Sequence, residues 1–156
     1  MTLPREPVRI VTGPINTAAE TEAVAAASGV GAVVTFSGVC REDEKGDPIA
    51  ALHLEHYPGM AEQEITKHVE EAQSRWPLLG VRVLHRVGRI EPGEVIVFVA
   101  TASAHREAAF AAAEYIMDFL KTRAPFWKKT EGAAGETWVD ANAKDDKAAA
   151  RWEKAK

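Results

Sequence analysis

The densest group of positive charge in the sequence runs from residue 121 to residue 129 and reads KTRAPFWKK. It holds four cations and no acid, in a chain of 156 residues with a net charge of −4. One interpretation is a site for an anionic substrate, in which Lys121 or Lys128 also transfers a proton. The other is that the first two cations stabilise a helix C-terminus and the last two are solvated. Pro125, which fixes the chain direction between the lysines, and the apolar Phe126–Trp127 pair favour the first interpretation.

A second cationic group opens a predicted helix directly after the most β-prone run of the sequence. It reads Ser103-Ala-His105-Arg106, with Ser103 as the expected N-cap. An arginine in the first turn opposes the positive end of the helix dipole, so its presence indicates that an anion binds there. The alternatives are that Arg106 pairs with a neighbouring acid and that His105 is a packing residue.

Two further arginines and the single cysteine complete the candidate residues. Arg41 follows a predicted buried strand and begins a charged segment, and Arg75 lies near a helix end. Each is either a binding residue or a solvated cation. Cys40 is either a thiol activated by Arg41 or a small buried hydrophobic residue, and the second interpretation is favoured.

The spacing of the other polar residues excludes several chemistries. His53-x-x-His56 lies on a predicted strand, where residues three apart point to opposite faces and do not bind one metal ion. A lone cysteine excludes a multi-cysteine zinc site. Gly29-Val-Gly31 precedes a strand instead of a helix, unlike a dinucleotide-binding loop. We therefore expect neither a metal nor a cofactor.

The overall charge and hydropathy limit the class of protein. An acidic chain with a pI near 5.8 is not expected to bind nucleic acid, because such proteins usually carry a basic surface. No apolar run approaches 18 residues, so no membrane association is expected. We expect a protein of the cytoplasm.

The elements that must position these residues alternate irregularly between strands and helices. Apolar and capping patterns predict strands over 8–11, 32–39, 49–56, 81–87 and 95–101, and helices beginning near 17, 60 and 103. Residues 41–48 are predicted to form a mobile loop, and Pro125 to end the third helix. This order favours an α+β fold over a doubly wound sheet. We expect one domain over residues 1–156, with a charged tail from about residue 143 that docks through Trp152.

Taken together, these motifs resemble the large, catalytic subunit family of molybdopterin synthase. The resemblance covers about residues 5–152, and LEHYPGM at 54–60 and KTRAPFWK at 121–128 are its most specific parts. The other matching segments are GAVVTFSG at 31–38, Arg41, RWP at 75–77, HRVG at 85–88, SAHR at 103–106 and WVDA at 138–141.

The resemblance implies an α/β-hammerhead-type fold and a sulfurtransferase. Such a subunit converts cyclic pyranopterin monophosphate to molybdopterin with sulfur from the C-terminal Gly-Gly thiocarboxylate of a small ubiquitin-like subunit. It forms a homodimer within a heterotetramer. Residue by residue, Lys121 and Lys128 match catalytic lysines. The substrate-pocket positions are matched by Arg41, His105 and Arg106, together with Arg75, which is contributed across the dimer.

Two points qualify this assignment. Many members of the family have an arginine after the WVDA motif where this chain has Asn142, with Lys144 as a candidate replacement. A non-catalytic module that captures an anion or a peptide tail would use the same cationic pocket. It differs from the enzyme only in whether the lysines take part in chemistry.

Overall fold

The computed structural model of the protein describes residues 6–132, 135–138 and 149–152. Within these residues the chain forms three helices and nine strands. The helices are α1 (Thr17–Ala25), α2 (Met60–Arg75) and α3 (Arg106–Thr122). The strands are β1 (Val8–Val11), β2 (Ala32–Val39), β3 (Asp43–Glu44), β4 (Asp47–His56), β5 (Leu78–Arg86), β6 (Gly88–Ile90), β7 (Val95–Ser103), β8 (Phe126–Gly132) and β9 (Gly135–Trp138).

The first sheet has the strand order β1-β5-β7-β2 and carries all three helices. Strand β1 is parallel to β5, whereas β7 is antiparallel to both of its neighbours. Successive side chains of a strand point to opposite faces of the sheet. The central strand β7 has apolar side chains on both of these faces. Val97 and Val99 pack with residues of α2 and α3, and Phe98 and Ala100 pack with Val24 of α1.

The second sheet has the order β3-β4-β8-β9, with β6 paired to β4. It covers a separate apolar cluster that includes Cys40, Leu54 and Ile90. Phe126, the first residue of β8, packs against both this cluster and the core between the first sheet and the helices. Phe126, at the start of β8, therefore contacts the cores of both sheets. The mixed architecture of helices and sheets confirms the expected α+β class.

Two helix starts differ from the sequence prediction. The N-cap of α1 is Asn16, whose side chain accepts the Ala19 N–H at 3.1 Å, and not Thr17. The sequence Thr17-Ala-Ala-Glu20 has the pattern of a capping box, in which Glu20 would bond back to the N-cap backbone. Glu20 is instead buried and pairs with Arg9 and Arg82 of the first sheet.

The start of α3 is shifted as well. Ser103 pairs with β2 and β5 at the end of β7, and its hydroxyl donates to the Pro77 carbonyl at 2.8 Å. It is therefore not the N-cap. His105 is the N-cap, with extended backbone, and the helix runs from Arg106 to Thr122, ending before Pro125 as expected.

The segment expected to be a mobile loop contains a β-hairpin. Strands β3 and β4 pair through Asp43 with Pro48 and through Glu44 with Asp47. The two turn residues, Lys45 and Gly46, have φ values of 51° and 88°. Two successive positive φ angles are typical of a type I′ turn, which matches the twist of a hairpin.

The end of the described chain docks on α3 as predicted. The Trp152 indole N–H donates to Asp118 at 2.6 Å, and its ring packs edge-on against Trp76 and Tyr115. The expectations for Asn142 and Lys144 lie outside the described residues, as does most of the tail from residue 143. No helix in the described ranges is long and apolar enough to cross a bilayer.

Candidate active site around Lys121 and Lys128

The two candidate lysines lie on different elements that meet near Phe126. Lys121 is exposed in the last turn of α3, and Lys128 is a half-buried residue of β8. Phe126 precedes Lys128 by two residues and so lies on the same face of β8. The packing of the Phe126 ring against both cores therefore fixes where Lys128 stands relative to the first sheet.

Lys128 is paired with the β3–β4 hairpin. Its Nζ lies 3.5 Å from Oε2 of Glu44, and the two side chains are 33% and 20% exposed. A partly exposed ion pair of this length contributes less than about 1 kcal/mol. Lys128 can therefore turn from Glu44 to a bound anion at small energetic cost.

Cys40 lies in the apolar cluster beneath Lys128 and is 2% exposed. Burial raises the pKa of its thiol, and this effect outweighs the opposing effect of the Lys128 charge. The structure therefore confirms the interpretation of Cys40 as a small buried residue, because a reactive cysteine needs an accessible thiolate. Arg41 follows it directly and is exposed, at the base of the hairpin that carries Glu44.

His85 of β5 packs against the Phe126 ring. The two rings stack with centroids 3.9 Å apart and planes at 17°. Burial lowers the pKa of His85 to about 4, and the nearby Lys121 charge acts in the same direction. Among the described residues no carboxylate forms an ion pair with Lys121. An uncharged ring and a lysine without an acidic partner thus lie side by side.

His105 and Arg106 lie far from these lysines within one chain. They are exposed at the N-terminal end of α3, whereas Lys121 lies in its last turn. Fifteen residues separate Arg106 from Lys121, and at 1.5 Å per residue this corresponds to about 22 Å. One copy of the chain therefore does not unite the two cationic groups.

Arg75 lies in a third place, a groove between α2, α3 and residues 149–152 with a volume of about 400 Å³. We call it the α2–α3 groove. The Arg75 guanidinium donates to Glu71 at 3.2 Å and to the Trp152 carbonyl at 3.2 Å. It also lies over the Tyr115 ring, 4.8 Å from the centroid. In this chain Arg75 holds the docked C-terminal segment in place.

Sequence reasoning assigned no role to two residues that organise the lysines, His85 and Glu44. A signal for His85 was present: Val81 and Val83 precede it at two-residue spacing and are buried, so a continued strand buries His85 too. Glu44 had no such signal, because its position follows from the hairpin that was expected to be a loop.

Comparisons with known proteins show to which family this chain belongs. The family model described as MoaE protein matches residues 10–123. The molybdopterin synthase catalytic subunit of Mesorhizobium japonicum is 56% identical over 149 residues, covering 93% of this chain and 92% of that protein.

Two solved structures have the same fold. The molybdopterin biosynthesis MoaE protein from Burkholderia ambifaria superimposes with a TM-score of 0.80 at 47% identity, covering 94% of this chain and 97% of that one. Molybdopterin synthase from Staphylococcus aureus superimposes with a TM-score of 0.78 at 33% identity, covering 84% and 95%. The chain therefore belongs to the MoaE protein family, that of the molybdopterin synthase catalytic subunits.

Proposed function

We propose that this chain inserts the dithiolene sulfurs into cyclic pyranopterin monophosphate to give molybdopterin. The sulfur arrives as the C-terminal Gly-Gly thiocarboxylate of a small ubiquitin-like subunit. The observation that carries this proposal is that Phe126, two residues before Lys128, stacks on His85, whose pKa the nearby Lys121 charge helps to lower, in a chain that belongs to this family. The buried Cys40 supports it, because a reaction whose sulfur comes from a partner needs no thiol nucleophile from this chain.

The lysines perform proton transfer and charge stabilisation in this proposal. Lys121 is exposed, next to an uncharged ring, and is placed to donate a proton to the phosphate oxygen released when the cyclic phosphate opens. Lys128, whose ion pair with Glu44 is 3.5 Å long, stabilises negative charge as sulfur adds. Arg41, exposed near the same hairpin, binds the phosphate.

His105 and Arg106 enter the site in a homodimer. Within the described residues β2 pairs with β7 alone, which leaves one edge of the first sheet open. Phe36 and Val39 of this strand are 40% and 48% exposed, and Phe110, one helical turn after Arg106, is 61% exposed. Apolar residues at an open sheet edge are typical of a surface that another chain covers.

We therefore place the second copy against β2 and the start of α3. In this arrangement His105 and Arg106 of one copy lie at the contact between copies and bind the anionic substrate held by the lysines of the other. Arg75 joins the pocket only if it leaves Glu71 and the Trp152 carbonyl, so its part is the least supported. With one small subunit per catalytic subunit, the complex is a heterotetramer.

The direct test combines the purified chain with a thiocarboxylated small subunit and cyclic pyranopterin monophosphate, and detects the dithiolene product by mass spectrometry. We expect product to form in proportion to the thiocarboxylate consumed. Binding of the small subunit without product would instead support the non-catalytic module. Light scattering at micromolar concentration tests the homodimer, and a monomer would contradict the shared site.

A further inference from the structure

One contact joins the elements that carry the two lysines, and it involves a histidine with no assigned role. His85 belongs to the first sheet, on which α3 and Lys121 are mounted, whereas Phe126 belongs to the second sheet together with Lys128. The His85 ring stacks on Phe126 at 3.9 Å. The His56 ring of β4 lies on Phe126 as well, with centroids 6.2 Å apart. At the start of β8 the Phe126 ring thus contacts a residue of each sheet, in addition to the strand pairing between β8 and β4.

The hydrogen bonding of His85 defines its charge and tautomer. Its Nδ1 lies 3.0 Å from the Arg86 carbonyl oxygen, which only accepts, so the proton is on Nδ1 and Nε2 carries a lone pair. Burial lowers the pKa to about 4, with further lowering by Lys121 of α3 and His56 of β4. The imidazole is uncharged at neutral pH, so it stacks on Phe126 without repelling Lys121.

We infer that His85 is a positioning residue: its ring holds Phe126, and through it β8, so that Lys128 and Lys121 act on one substrate. The inference rests on the proposed function, because it concerns the same two lysines. A misplacement of about 1 Å in a catalytic group lowers a rate by up to about 100-fold. Losing the stack is therefore expected to affect the chemical step more than binding of the partner.

The chain contains a matched control in the α2–α3 groove. His68 also stacks on a phenylalanine, Phe119, with centroids 3.2 Å apart and planes at 12°. Its Nδ1 lies 2.9 Å from the Glu64 carbonyl oxygen, and burial lowers its pKa too. His68 therefore reproduces the chemistry of the His85 stack at a place that does not join the two sheets.

The experiment compares His85→Ala, His85→Phe and His68→Ala in single-turnover sulfur transfer at saturating small subunit. We expect His85→Ala to slow turnover by about 10- to 100-fold with partner affinity changed less than about 3-fold. His85→Phe keeps a ring on Phe126 and is expected to recover most of the rate. His68→Ala is expected to keep the wild-type rate even if it lowers the melting temperature as much as His85→Ala does.

A second measurement does not depend on activity. Backbone amide NMR spectra of His85→Ala should show shifts at residues 121 and 126–128, and His85→Phe should largely restore them. Equal rates for His85→Ala and His68→Ala, or undisturbed amides at 126–128, would overturn the inference. An inactive wild-type protein whose amides still respond as expected would overturn the proposed function and leave the positioning role standing.

Discussion

Two regions of the molecule contain similar groups in different arrangements. One is the α2–α3 groove. The other, which we call the lysine site, is formed by Lys121, Lys128, His85, Phe126 and Glu44. Each holds cations beside aromatic rings and a histidine of lowered pKa that stacks on a phenylalanine. In the groove, Arg75 has a carboxylate, a carbonyl and a ring as partners. In the lysine site, Lys128 has one carboxylate at 3.5 Å, and Lys121 has none among the described residues.

Because of this difference we assign the proposed reaction to the lysine site and not to the groove, although the groove has a volume of about 400 Å³. The groove cation Arg75 is engaged in holding residues 149–152 against α3, which is a structural task. In the part of the chain that the structure describes, Lys121 has no acidic partner and Lys128 a weak one, which suits the anionic substrate of the proposed reaction. The comparison predicts that changes in the lysine site affect chemistry and that changes in the groove affect stability.

The largest expected effect is that of Lys121→Ala. Because Lys121 supplies a proton-transfer group next to a neutral ring, its loss should slow single-turnover sulfur transfer by at least ~100-fold. Small-subunit affinity should change far less, and circular dichroism should show an intact fold. Lys67→Ala, which removes the same charge from the groove, is the control and should keep the wild-type rate. If Lys121→Ala abolishes partner binding but the bound complex turns over normally, the lysine is a docking residue.

The second effect is acid destabilisation through His85. Its folded pKa of about 4 is below the ordinary value of 6.5, so the unfolded chain binds more protons between these two values. Stability is therefore complete above pH 6.5 and falls as the pH decreases toward 4. Between pH 7 and pH 4.5 the contribution is roughly 2 to 3 kcal/mol.

Urea denaturation at the two pH values measures this effect. His85→Phe should lose roughly 2 to 3 kcal/mol less than the wild type on acidification. His68→Phe should show a smaller effect of the same sign, since burial also lowers the pKa of His68. Identical acid sensitivity in His85→Phe and the wild type would mean that the His85 ring is not kept neutral by burial.

In the groove, Trp152→Ala should affect stability alone. The substitution removes the hydrogen bond to Asp118 and the edge-on contacts with Trp76 and Tyr115. For a half-buried aromatic side chain we expect a loss of about 2 kcal/mol in the free energy of unfolding. Sulfur transfer under folding conditions should stay close to wild type. A large fall in rate with little change in stability would place the groove in the reaction.

Lys128→Ala should have an intermediate effect on rate, about 10-fold, because the residue stabilises charge in a partly solvated position. Glu44→Gln is its partner variant. Since the Lys128–Glu44 pair is worth less than about 1 kcal/mol, this change should leave stability nearly unaltered. A Glu44→Gln variant as slow as Lys128→Ala would show that Glu44 has a chemical role of its own.

The sequence was sufficient for the fold class and for the helix faces, because these follow from apolar periodicity. Ile65 and Val69 of α2, and Ala109 and Ile116 of α3, recur at helical spacing in the sequence and are buried. The β3–β4 hairpin was not predicted, because its charged sequence resembles a loop and its turn depends on two positive φ angles. The His85–Phe126 stack joins residues 41 positions apart in different sheets, and such a contact has no local signature.

The smallest effect is expected at Cys40, and it separates this reaction from one that uses a thiol of the chain itself. Cys40 is 2% exposed, its Sγ lies 3.8 Å from the Ile90 carbonyl oxygen, and burial raises the pKa of its thiol. A protonated thiol without access to solvent is a poor nucleophile. Cys40→Ala should therefore keep turnover within about 2-fold, while the small cavity lowers stability by about 1 kcal/mol. Single-turnover transfer with the thiocarboxylated partner, beside urea denaturation, measures both. Complete loss of transfer in a folded Cys40→Ala protein would show that the Cys40 thiol takes part in the reaction, and this would contradict direct attack by the partner's thiocarboxylate.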